Sequence, residues 1–277
     1  MQSIEAWDVK HFDRSPIFRP LREAARVLPR MGWPDLASIN AMAMNGAARV
    51  VNARGERLRF VEQGTKPADF AAQFEPSAFL HGEVPLRPYN WHDLFNALVW
   101  MSFPRAKAGL NARHFAALHE QESERSATRD ALTHFDEDGV VVTSTDAALL
   151  ELLRNHQWTA LFVERRAEVR ENMRIYVFGH ALYDKARNPF IGLTGKALLF
   201  EVRENVADES IHEETSRIDR LLATHVLNEL CLLSPRELAP LPLLGVPNWW
   251  PANEDPRFYD NASYFRPARQ TARQVHP

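Results

Sequence analysis

"NWHDLFNALVWMSFPRAKAGLNARH", residues 90–114, sets two histidines, three asparagines, an aspartate and a lysine among tryptophans, phenylalanines and leucines. Its apolar spacing predicts two helices meeting near Ser102–Pro104, a helical hairpin over about 90–120. Asn90 suits the N-cap of the first helix. Asp93 falls where a capping-box acid would sit, so capping is its expected duty. On the second helix each residue turns by about 100°, which puts Asn111, His114 and Leu118 within about 40° of Lys107. Phe103 and Leu110 share that sector, while Arg105, Gly109, Ala112, Arg113 and Ala116 lie opposite. If the apolar sector is buried, Lys107, Asn111 and His114 go with it, and each then needs a partner. On the first helix His92 and Asn96 lie one turn apart along the edge of the Trp91, Leu94, Phe95, Leu98 and Val99 face.

Outward from this centre the pattern mixes helices and strands without regular alternation, which predicts an α+β fold. Upstream, short helices are expected within 15–33 and 33–44, with Pro34 in the first turn of the second. A β-hairpin turning at Gly55 is expected over 48–63, then a brief helix over 66–75 and an irregular lead-in over 81–89. Downstream, "DALTHFDEDGVVVTS" reads as a second hairpin turning through Asp138–Gly139. A helix capped by Ser144 or Thr145 follows, continuing after a break over 159–172. Strands are expected at 173–179 and 193–202, with a helix between them that Pro189 stops. Residues 213–233 read as the longest amphipathic helix, with Cys231 as a small core residue within it. Residues 234–277, rich in proline and aromatics, form an extended arm packing on the body of a single domain spanning 1–277.

Composition limits the functional classes. The chain has 277 residues, a net charge of -3 and a pI near 6.4, which argues against nonspecific nucleic-acid binding. Cys231 is the only cysteine, so no intrachain disulfide or thiolate cluster can form. No apolar run reaches the roughly 20 residues of a membrane span. The N-terminus lacks an apolar signal core, so a cytoplasmic protein is expected. P-loop, G-x-S-x-G, H-E-x-x-H and dinucleotide fingerprints are absent.

Two further segments offer polar groups. "RSATRDALTHFDEDG" contributes Arg129 and Asp130; read as a strand, it points Asp130, Leu132, His134 and Asp136 one way. Asp136 to Asp138 would then be ordinary turn acids. "VFGHALYDK" puts His180 where a strand passes into a helix. There the helix dipole would lower its pKa, and Gly179 would permit a tight turn.

"NWHDLFNALVW", "FPRAKAGLNARH", "RDALTHFDEDG", "FGHALYDK", "LAPLPLLGVPNWW" and "FYDNASYFRP" together resemble the bacterial domain-of-unknown-function 3025 family, from about Phe18 to Arg269. The resemblance implies a single-domain bacterial protein. It implies no particular activity and assigns no residue roles.

The residues themselves point first to a hydrolase-like enzyme acting on a small anionic substrate. Lys107, His114, His180 and Asp130 are the candidate catalytic groups, with His92, Asn96, Asn111 and Arg129 binding or orienting substrate. A divalent metal is an optional cofactor, with His92, His114, Asp130 and His180 as candidate ligands. The C-terminal Trp249 and Trp250 could pack on the body or close as a lid. The alternatives are a non-catalytic binding or adaptor protein built on a buried polar network, and a nuclease or RNA-binding protein using Arg105, Lys107, Arg113 and Arg129.

Overall fold

A computed structural model describes residues 5–46, 49–64, 74–118, 125–204 and 209–268. The chain starts with two single helical turns, α1 (His11–Arg14) and α2 (Arg22–Ala25), around a 3₁₀ turn at Pro16–Leu21. Next come α3 (Leu36–Asn45), β1 (Arg59–Glu62), α4 (Phe74–His81) and β2 (Glu83–Leu86). The helix expected over 66–75 lies largely outside the described residues, as do His119 and His276. β1 and β2 pair in parallel, Phe60 opposite Val84. The hairpin expected over 48–63 is thus reduced to one antiparallel bridge, Val51 with Arg57, and the lead-in over 81–89 supplies a strand instead. Pro85 is tolerated there because both strands of a two-stranded sheet are edges.

The quoted stretch forms α5 (Trp91–Ser102) and α6 (Pro104–Ala117), joined by the single residue Phe103. Proline disfavours α geometry in the residue before it, and Phe103 adopts φ -129, ψ 56. Asn90 accepts a hydrogen bond from the Asp93 N–H, as an N-cap should. Asp93 itself is held by Arg87, through both the Arg87 backbone N–H and its guanidinium, rather than closing a capping box. Phe103 cannot cap α6, so the buried carboxylate of Asp219, from another helix, accepts the N–H groups of Arg105 and Ala106.

α7 (Arg125–Asp138) runs without a loop into β3 (Gly139–Ser144). This overturns the hairpin expected there: "DALTHFDED" is helical, and Asp138–Gly139 is a helix-to-strand junction. A Cβ on Gly139 would lie 2.2 Å from the Phe135 carbonyl oxygen, so only glycine permits the junction. After it come α8 (Ala147–Arg154), a π turn at Ala160–Glu164, α9 (Arg166–Asn172), β4 (Met173–Val177) and α10 (His180–Ala186). Asp146 caps α8 by accepting the Ala148 N–H, in place of Ser144 or Thr145. β5 (Thr194–Glu201), α11 (Ile211–Leu227) and β6 (Ala239–Pro242) complete the fold. α11 stops at Leu227, so Cys231 is half-buried in the turn beyond it.

The main sheet has strand order β4-β3-β5-β6, with β3 parallel to β5 and the outer pairs antiparallel. Every residue of β3 is buried, which explains its unbroken "VVV" run. Helix predominates over strand, and the α+β expectation holds. α5 packs on α10 and α6 on α11, so each half of the quoted stretch finds its larger partner elsewhere. The C-terminal segment adds the edge strand β6, and the Tyr264 hydroxyl donates to the Leu193 carbonyl. Its aromatic residues Tyr259, Tyr264 and Phe265 join the hydrophobic core cluster that also holds Phe12.

Candidate functional site

The buried polar groups anticipated on α6 are buried indeed. Lys107 and Asn111 are each 3% exposed and His114 is 8% exposed. Lys107 reaches across to α7, its Nζ 2.6 Å from Asp136 Oδ1, and lies 5.4 Å from the centre of the Trp100 ring. Burial pushes the Asp136 carboxyl up, but the charge and hydrogen bond of Lys107, with His180 and His114 beside it, together outweigh that and hold the group at about 2. Asn111 donates to the backbone carbonyl and the carboxylate of Glu75 in the first turn of α4. Burial raises the Glu75 pKa.

On the far side of Asp136 stands His180. Its Nδ1 is 2.9 Å from the Asp136 carbonyl oxygen, and its Nε2 is 3.1 Å from His92 Nε2. A carbonyl only accepts, so the His180 proton sits on Nδ1 and leaves Nε2 with a lone pair. Glu137 Oε1 lies 3.8 Å from the same Nε2. Burial lowers the His180 pKa to about 4, so the ring is neutral at pH 7. The pKa is lowered as expected, but by burial and the neighbouring Lys107 and His92 in place of the helix dipole. Burial also raises the Glu137 pKa.

These groups open on one cleft of about 310 Å³ between α4, α5, α7 and α10. His92, Asn96, His114 and His180 line it, together with Glu75 and Glu137. Lys107 and Asn111 stand behind the wall. Asn96 Oδ1 is buried without a hydrogen-bond partner among the described residues. Arg129 and Asp130 do not join the site: on a helix rather than a strand they face solvent. Asp130 therefore leaves the sets of candidate catalytic groups and metal ligands, and Arg129 leaves the substrate-binding set. Trp249 borders a separate hollow with Arg170, Arg174 and Tyr176, and neither Trp249 nor Trp250 lines the cleft as a lid would.

Asp136 and Glu137 are the site residues that the strand reading missed, and Glu75, in a segment read only as a brief helix, was not singled out. Read at helical spacing, Ala131, Leu132, Phe135 and Asp136 share one buried face, and that periodicity was the available signal. Gly179 has φ -61, an ordinary value, so turn geometry is not what requires it. A Cβ there would lie 2.4 Å from both the Glu137 carbonyl oxygen and the Gly139 nitrogen. Glycine is needed because the α7–β3 and β4–α10 junctions touch, which is how His180 comes beside Asp136 and Glu137. Gly179→Ala is expected to destabilise the protein by about 1–3 kcal/mol, the range for overpacking, as read by urea unfolding.

No curated protein matches the chain, and no solved structure does. A family model described as "Protein of unknown function (DUF3025)" matches residues 58–269, starting later than the Phe18 suggested by the motifs and ending at the same place. That span holds every residue of the cleft, and the chain belongs to the DUF3025 family.

Proposed function

We propose that the protein is a hydrolase whose reaction occurs in the cleft between α4, α5, α7 and α10. The observation that carries this reading is the convergence of His92, His114, His180, Glu75 and Glu137 on one small concave space. Glu75, raised in pKa and oriented by Asn111, accepts a proton from the attacking water. The new bond forms from the water oxygen to a carbonyl carbon or phosphorus. The bond to the leaving group breaks as a protonated His114 gives its proton to that group, and the proton held by Glu75 then passes to His114 and restores both groups. Lys107 fixes Asp136 and thereby the end of α7 that carries Glu137.

The anionic substrate needs positive charge that the side chains do not leave spare. Arg87 is paired with Asp93 and Lys107 with Asp136. Two further cations of the nucleic-acid alternative are also engaged among the described residues. Arg105 pairs with Asp219, and Arg113 donates to the carbonyls of Val226 and Cys231. The adaptor alternative draws on the internal partners of Lys107 and Asn111, since sealed polar pairs also fix helix packing. A cytoplasmic setting is in keeping with a single half-buried cysteine. Among the described residues no helix is long and apolar enough to cross a membrane.

Initial rates on p-nitrophenyl acetate, p-nitrophenyl phosphate and bis-p-nitrophenyl phosphate, with zinc or manganese added, test the proposal. At least one ester should be hydrolysed, with Glu75→Gln and His114→Ala each slowing it by about 10²–10⁴-fold. Failure on all three esters, or full activity in both variants, contradicts it.

A further inference from the structure

Two imidazoles whose Nε2 atoms meet across a cleft, their planes inclined at 69°, have two explanations: a hydrogen bond, or a shared cation. His92 lies in the first turn of α5 and His180 in the first turn of α10, yet their Nε2 atoms are 3.1 Å apart. Glu137, from the last turn of α7, brings a carboxylate oxygen to the same place. One ligand atom from each of the three lies within 4.8 Å of the others. We infer that His92, Glu137 and His180 together bind one divalent transition-metal ion of the zinc type, with a further coordination position open to the cleft.

Ligand geometry supports the cation. Nitrogen ligands about 2.0–2.1 Å from a tetrahedral ion stand roughly 3.4 Å apart. The observed 3.1 Å between the imidazoles and 3.8 Å from His180 to Glu137 lie on either side of that value, and His92 and Glu137 need only draw together from within 4.8 Å to close the site. The second ring nitrogen of His180 is already committed. Nδ1–H donates to the Asp136 carbonyl, the outer contact that fixes the tautomer of a ligating histidine. Asp136 is itself pinned by Lys107, and the close approach at Gly179 sets the backbone beneath the histidine.

The donor set selects the class of ion. Two imidazoles and one carboxylate suit zinc, manganese or iron(II) and disfavour magnesium and calcium, which take oxygen ligands. Three protein ligands leave room for a water, the arrangement of a reactive site rather than a closed structural one. The ion also supplies the positive charge that Arg87 and Lys107 do not have spare. Its use rests on the hydrolytic reading: a bound water would lose its proton to Glu75 and attack as hydroxide. Its presence does not.

The test is calorimetric titration of chelator-treated full-length protein with zinc chloride, manganese chloride and magnesium chloride. Zinc should bind with a stoichiometry near one and micromolar or tighter affinity, while magnesium gives no saturable heat. His180→Ala, Glu137→Gln and His92→Ala should each weaken zinc binding at least tenfold. His134→Ala, in an exposed residue of α7, should leave it unchanged. His92 and Glu137 are half-buried, so both variants are expected to fold, with circular dichroism as the check. Absence of zinc binding, or binding undiminished in all three ligand variants, overturns the inference. One equivalent of zinc in a protein that hydrolyses none of the esters would uphold the metal site and sink the hydrolytic reading. Chelator-resistant hydrolysis without zinc uptake would do the reverse.

Discussion

Lys107→Met is expected to destabilise the protein by about 3–5 kcal/mol, the cost of leaving a buried charge without its partner. For a chain of this size that lowers the melting temperature by roughly 6–20 °C. Lys107 is 3% exposed and its ammonium sits between the Asp136 carboxylate and the Trp100 ring. Methionine fills much of the same space, so lost packing is a minor part of the effect. What remains is a carboxylate, held at about 2 in the parent, facing a thioether that cannot donate a hydrogen bond. The Lys107→Met, Asp136→Asn pair removes both charges and should recover most of the loss, because a neutralised pair costs far less than a broken one. Urea unfolding of the parent, the single variant and the double variant measures this. A loss under about 1 kcal/mol in the single variant would mean that water reaches Asp136 freely.

The second large effect falls on chemistry instead of folding. Glu137→Gln is expected to lower kcat/KM for the responsive ester by about 10³-fold or more. That corresponds to roughly 4 kcal/mol of transition-state stabilisation, the scale supplied by a metal ion acting on developing charge. The substitution keeps the shape of the side chain and removes its negative charge. Glu137 is half-buried at the last turn of α7, so its amide can be solvated and the melting temperature should move little. Steady-state kinetics beside a thermal melt separates the two readings. A matching loss of stability and activity would assign Glu137 a structural role.

The sequence carried the α6 half of this site and concealed the α7 half, for identifiable physical reasons. Along α6 one helical period places Lys107, Asn111 and His114 together with Leu110, and the structure buries all four. His180 could be placed at a strand-to-helix junction because the strand composition of 173–179 changes abruptly at Gly179. The segment 125–138 misled because Asp-Gly before a β-branched run is also a strong hairpin signal. Nothing local shows that the run is a central strand paired in parallel with β5, which leaves the preceding residues free to be helical. β2 was hidden by Pro85 and Pro88, whose usual meaning is irregular chain. Spacing could not reveal the His92, Glu137 and His180 cluster either. Its members come from α5, α7 and α10, and only the packed tertiary structure brings them together.

Anomalous diffraction at the zinc absorption edge, from crystals grown with one equivalent of zinc, tests the central claim most directly. The expected result is a single strong peak about 2 Å from His92 Nε2, from His180 Nε2 and from a Glu137 carboxylate oxygen. Two imidazoles hydrogen-bonded to each other, with no peak between them and zinc absent or bound elsewhere, would contradict it.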